Sequence, residues 1–266
     1  IGNDTADGSI SKPLATIPAA VKKVRAIRKS GNKEPMTIYL RDGQHYLNTT
    51  LVLGREDGSI ISDKGTSEKP GAGKLSSAHL TFSAYPGEHP VISGGIPVNE
   101  WKLVSNDLTG LPENAKGKIW VADIPEGLDK FYTLYDEKGR LNRASDSGFI
   151  PGEMGDKKTL FFPKGALKNW ENLADVEIHV RPSRAWVINM LPLESVDETT
   201  GTAKTAVSAT YDMGKLPNWL YKEMGGLAAS VWVENILEAL DEPGEWVVNS
   251  KTRKLYLWPK NPASDG

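Results

Sequence analysis

The spacing of hydrophobic and polar positions changes period along this chain. Ala20, Val21, Val24 and Ile27 recur at helical spacing, which predicts one amphipathic helix from about Pro18 to Lys29. Pro18 suits a first turn, Arg28 and Lys29 suit the negative end of the helix dipole, and Gly31 suits the stop. Beyond the helix the period drops to two. Short runs at Thr37–Leu40, His45–Leu47, Leu51–Leu53, Leu80–Tyr85 and Val91–Ser93 are separated by Gly, Asp and Asn, and strands this short suggest coils of a solenoid. The polar stretch from Gly54 to Ser77 reads as a surface excursion from one coil.

From Trp101 to Trp258 the alternating segments are joined by long irregular loops. They fall at Lys118–Ala122, Phe131–Tyr135, Arg140–Ala144, Asp175–Val180, Ala185–Met190, Leu193–Asp197, Thr202–Val207 and Ser230–Val233, a pattern that fits a β-sandwich or open barrel inserted after the first coils. Glu245–Asn249 and Lys254–Trp258 alternate on either side of Ser250–Arg253 and predict a hairpin in which Trp246 and Val248 share one face. No repeat of fixed period runs through the chain, so a solenoid here has few coils.

Composition narrows the chemistry. With 266 residues the chain can bury a real core. Its lack of cysteine removes disulfides, thiolate metal sites and cysteine nucleophiles. Lys plus Arg number 32 against 34 Asp plus Glu, a balance that offers no field for nucleic acid. No run approaches the ~18 apolar residues of a membrane span. The chain opens at Ile1 without the regions of a signal peptide and reads as a mature or trimmed product.

Two sets of segments carry a resemblance. Gly2 to Ser9, then Lys12 to Ile17 and the helix, resemble the opening of pectate-lyase-like right-handed parallel β-helix proteins, in which such a helix caps the first coil. Tyr85 to Gly95, Leu240 to Trp246 and Leu255 to Pro259 resemble a bacterial group of carbohydrate-active β-helix enzymes, with glycoside hydrolase family 141 the nearest that can be named. Trp101 and Arg143-Ala144 extend the resemblance over nearly the whole chain. It implies an all-β fold, the start of a right-handed parallel β-helix with an N-terminal cap helix and an inserted β-sandwich or barrel-like domain. The implied division is residues 1–100 for the cap and first coils, 101–259 for the insertion, and 260–266 for a connection to the β-helix body. The implied partners are a polysaccharide or oligosaccharide and that remaining body, from the same gene or a second chain. The implied location is secreted, periplasmic or cell-surface. The catalytic carboxylates are expected on later coils, outside this chain.

Glycoside hydrolysis needs two carboxylates about 5–5.5 Å or about 6.5–9.5 Å apart. The densest acidic cluster is Asp241, Glu242 and Glu245, around Pro243-Gly244 and beside Trp246. A turn in which Asp241 accepts its own backbone amides accounts for it structurally. Asn3, Asp4 and Asp7 lack the spacing of a calcium loop and read as a turn leading to the helix. His45, His79, His89 and His179 have no metal-ligand spacing, and no metal or cofactor is expected.

Sugar binding has better candidates. Trp186 after Arg184, Trp219 before Tyr221 and Trp232 beside Glu234 each pair a flat ring with a polar partner, as ligand sites combine an apolar wall with a few polar groups. Each Trp is also a natural core residue for an alternating strand. Arg140 and Arg143 lie on opposite faces of one strand, so one of them must point inward or across an interface. The readings left open are a glycoside hydrolase region, a polysaccharide lyase on the same scaffold, and a non-catalytic glycan-binding or structural module.

Overall fold

The helix forms over Ile17–Lys29 (α1), one residue earlier than its periodicity places it, because Thr16 caps it and Pro18 lies in its first turn. Thr16 Oγ1 accepts from the Ala19 N–H at 3.2 Å. Asp4 in turn accepts from the Ala15 and Thr16 N–H groups, both at 2.9 Å, so the leading turn is tied to the helix start. These contacts belong to a computed structural model that describes residues 2–54, 56–57, 79–105, 108–184, 186–216, 222 and 229–261. The chain divides into two compact units, residues 1–97 and 98–266.

In the first unit, Ile17 and Val21 of α1 pack with Leu40. Strand β1 (Met36–Leu40) and strand β2 (Gln44–Tyr46) come first, followed by β3 (Leu80–Ala84) and β4 (Val91–Ser93). β1 pairs in parallel with β3, and β2 in parallel with β4. The bend between β3 and β4 is tied to the bend between β1 and β2, since Glu88 accepts from Arg41 Nε at 2.7 Å and from the Asp42 N–H at 2.6 Å. Two separate two-stranded sheets do not display the stacked coils of a right-handed parallel β-helix. Leu51–Leu53, expected as a strand, has no strand partner. Most of the polar Gly54–Ser77 stretch lies outside the described residues.

The second unit contains a six-stranded and a five-stranded sheet. The first runs in the order β5 (Lys102–Leu103), β6 (Trp120–Asp123), β15 (Lys254–Leu257), β14 (Glu245–Asn249), β8 (Gly139–Arg143), β7 (Leu134–Asp136). It is mixed, because β14 pairs in parallel with β8 while its other pairs are antiparallel. The second runs β13 (Val231–Glu234), β10 (Glu177–Val180), β11 (Asn189–Asp197), β12 (Thr202–Thr205), β9 (Thr159–Phe161), and it is antiparallel throughout. Of the described residues in the run expected at Ala185–Met190 only Asn189 and Met190 are strand, and they join the run expected at Leu193–Asp197 in one strand, continuous through Pro192 with a register shift between Leu193 and Ser195.

Alternation explains the cores. Val247 of β14 joins a core shared with Ile178, Val180, Val231 and Val233 of the five-stranded sheet. Trp246 and Val248, on its other face, join a second core with Leu141, Leu255 and Leu257. Trp246 is fully buried and lies parallel to Phe131 at 5.5 Å.

A polar seam links the two sheets. Asn235, fully buried just after β13, donates from Nδ2 to Val248 O at 2.8 Å and accepts from the Val248 N–H at 2.8 Å. It also donates to Asp175 O, just before β10, at 3.2 Å. Its φ of 71° is in the left-handed region that Asn tolerates better than most residues. Close by, Arg143 at the end of β8 donates to Glu177 Oε2 of β10 at 2.7 Å and to Asp175 O at 3.1 Å. Asp146 extends the seam by accepting from the Val233 N–H at 2.7 Å. Burial pushes its carboxyl above the ordinary value, against the pull of the Val233 and Gly148 N–H groups.

Asn235→Ala is expected to cost about 3–4 kcal/mol, from unsatisfied buried backbone groups and an unfavourable φ, measured by denaturant unfolding. Removing either Arg143 or Glu177 is expected to cost about 3–5 kcal/mol, whereas Arg143→Met with Glu177→Leu costs far less than the sum, in a double-mutant cycle. The raised Asp146 carboxyl means that the folded state binds more protons than the unfolded one just above the ordinary aspartate range, so stability falls as pH rises through that window. Asp146→Asn keeps the acceptor oxygen and removes that loss. Its melting temperature relative to the parent is expected to rise from acid to neutral pH.

Candidate functional site

Cross-strand register builds the site. Glu177 of β10 lies opposite Glu234 of β13 and Pro192 of β11, and His179 lies opposite Trp232 and Met190. Opposed residues share a face. One face of the five-stranded sheet therefore carries a row of Glu234, Glu177 and Pro192 beside a row of Trp232, His179 and Met190. The intervening Ile178, Val180, Val231 and Val233 point into the core.

The polar groups on this face constrain one another. The His179 ring stacks on Trp232 at 5.1 Å. Its Nε2 lies 3.3 Å from Glu234 Oε1, within ion-pair distance but off the line of a hydrogen bond, so this buried nitrogen has no hydrogen-bond partner. The Glu234 side chain keeps 22% exposure. Burial pushes its carboxyl up, but the contact with His179, the charge of Arg143 and the Trp232 indole N–H outweigh burial and hold it below the ordinary glutamate value. Glu177 is held by Arg143, whose guanidinium sits 5.6 Å from the Trp246 ring and 5.8 Å from the Tyr132 ring. Arg143 Nε is buried without a hydrogen-bond partner.

This arrangement can stack a flat ligand against Trp232 and accept hydrogen bonds through Glu234. Its two opposed carboxylates are each engaged, Glu177 by Arg143 and Glu234 by His179. Among the described residues no group of His, Asp and Glu side chains is arranged to hold a metal ion, and no helix is long and apolar enough to cross a membrane.

The structure brings Arg143 and Trp232 into one cluster through Glu177, His179 and Glu234. Arg143, rather than the exposed Arg140, points inward. Trp186 lies elsewhere on the second unit and is 69% exposed. Its ring stands edge-on to Tyr211 at 6.4 Å, with the Arg184 guanidinium 5.9 Å away. Trp219 lies outside the described residues.

The Asp241–Trp246 segment is a turn, though not the one expected. Glu245, not Asp241, is the acceptor: its Oε2 takes the Asp241 and Glu242 N–H groups, both at 3.0 Å. Pro243 leads into Gly244 at φ 95°, and the Gly244 N–H donates to Trp258 O at 2.6 Å. Sequence reasoning passed over Glu177 and weighed His179 only as a metal ligand. Their i, i+2 spacing was visible, but the register that sets them against Glu234 and Trp232 was not.

Residues 117–260, more than half of the chain, match the family model described as the GH141 insertion domain. A solved structure named "Glycoside hydrolase" overlays on 98% of this chain and 42% of its own, with a TM-score of 0.63 and 21% identity. At that identity the likeness concerns the fold alone. The chain thus spans under half the length of that protein. A complex of XylC with xylose covers 93% of this chain and 32% of its own at 14% identity, and its TM-score of 0.27 carries no argument. No curated protein matches the chain. The matched segment includes the five-stranded sheet, every strand of the six-stranded sheet but β5, and every residue of the Trp232 cluster, and the chain belongs to the GH141 insertion-domain family.

Proposed function

We propose that this chain is the N-terminal region of a glycoside hydrolase acting on a complex polysaccharide or glycan, and that its inserted β domain holds the glycan rather than cleaving it. The observation that carries this reading is the half-buried Trp232 beside an anionic Glu234, on one sheet face within the family-matched segment. Trp186, with Arg184 and Tyr211, supplies a second aromatic contact. Arg143 supports the first contact from beneath, through Glu177.

The catalytic carboxylates belong to another part of the whole protein. The engagement of Glu177 and Glu234 by Arg143 and His179 favours binding over turnover here. The first unit is read as the capped start of a right-handed parallel β-helix. The parallel pairing of β1 with β3 and of β2 with β4 supports that reading.

Calorimetric titration with a panel of oligosaccharides is expected to give binding without product formation by this chain. Trp232→Ala and Trp186→Ala are each expected to weaken binding about tenfold, or about 1.4 kcal/mol. Trp186→Ala should leave the melting temperature unchanged because the ring is exposed. The whole protein is expected to release reducing sugars without the ultraviolet-absorbing unsaturated ends of a lyase. Absence of binding across the panel would contradict the glycan reading.

A further inference from the structure

Resting on that glycan reading, we propose that the Trp232–Glu234 subsite selects an uncharged sugar, read through neighbouring hydroxyls, and rejects uronates and sulfated sugars. The argument begins with what the face offers a ligand. Glu234 keeps 22% of its side chain exposed, and its contacts with His179 and Arg143 hold its carboxyl below the ordinary glutamate value despite burial. An ionised carboxylate accepts hydrogen bonds and donates none. Two hydroxyls on adjacent ring carbons are donors matched to its two oxygens, whereas a sugar carboxylate or sulfate brings like charge and no donor.

Arg143 does not offset that repulsion. Arg143 is 7% exposed in its side chain and already paired with Glu177 at 2.7 Å. His179 is covered by Trp232, and its Nε2 faces Glu234 rather than solvent. Glu177, in the next cross-strand position, is neutralised by the same pair with Arg143. Arg143 is thus engaged with Glu177, and Glu234 is the carboxylate left open to a ligand. Trp232 completes the subsite. Its plane is set by the His179 stack and Glu234 lies two residues along the same strand face, so a pyranose lying on the ring has its edge hydroxyls beside the carboxylate.

The experiment compares this protein's affinity for neutral oligosaccharides (xylo-, cello- and manno-oligosaccharides) with its affinity for an oligogalacturonide of equal length, at low and moderate salt. The expected result is at least tenfold tighter binding of a neutral ligand, with the gap narrowing as salt screens the repulsion. Glu234→Gln is expected to shrink the gap to less than threefold, by weakening the neutral ligand and admitting the acidic one, with the fold verified by melting temperature. Should Glu234→Gln be unstable, Glu234→Asp serves instead and is expected to weaken neutral binding while keeping the selectivity. Equal or tighter binding of the oligogalacturonide overturns the inference while leaving the glycan reading standing. So does selectivity unchanged in Glu234→Gln. No binding of any sugar removes the glycan reading itself, and this inference with it.

Discussion

The second unit depends on one side-chain amide. Asn235 sits where β13 ends, and its Oδ1 and Nδ2 bond the N–H and C=O of Val248 as a neighbouring strand would. It thereby joins β13 to β14, beside the backbone bonds by which residues 144–149, just after β8, pair with β13. The same Nδ2 reaches Asp175 O. Asp175 in turn accepts from the Ser250 N–H through its carboxylate at 2.7 Å, and Asn172 donates to both Asn235 O and Val248 O. In a buried seam each of these groups needs a partner, since an unsatisfied one costs about 1–3 kcal/mol. The seam therefore specifies one arrangement of the two sheets where apolar packing alone would tolerate several.

That arrangement sets the chemistry of the outer face. Because β13 and β10 are fixed at the seam, Glu234 and the buried Glu177 are held side by side, and each carboxylate so placed needs a nitrogen partner nearby. Arg143 arrives from β8 and His179 from within the sheet. Trp232 covers His179, which leaves Glu234 as the polar group still open to a ligand. The site is thus an edge of the same polar network that joins the sheets. Its anionic character and its aromatic wall follow from one constraint.

Much of this was readable from the residues, and the rest was not for identifiable reasons. The helix, the Glu245–Leu257 hairpin and the sharing of a face by Trp246 and Val248 followed from period and turn chemistry, which are local. Strand β9 escaped notice because Thr159–Phe161 is too short to show alternation. The fusion of two expected runs into β11 escaped because Pro192 reads as a break. Trp232 and Glu234 were legible as a pair because they lie two residues apart. His179 and Glu177 became part of that site only through pairing across strands more than fifty residues apart in sequence, information that a single strand does not contain. The role of Glu245 was hidden for a related reason, since a turn acceptor can lie at either end of its turn.

The most direct test of the account follows the tryptophan indole N–H signals by ¹H–¹⁵N NMR while a neutral oligosaccharide is added. Trp232 and Trp186 are predicted to shift in a saturable manner, while Trp246, fully buried beside Phe131, stays in place. Saturable binding that leaves Trp232 unmoved would contradict the assignment of this sheet face as the glycan surface.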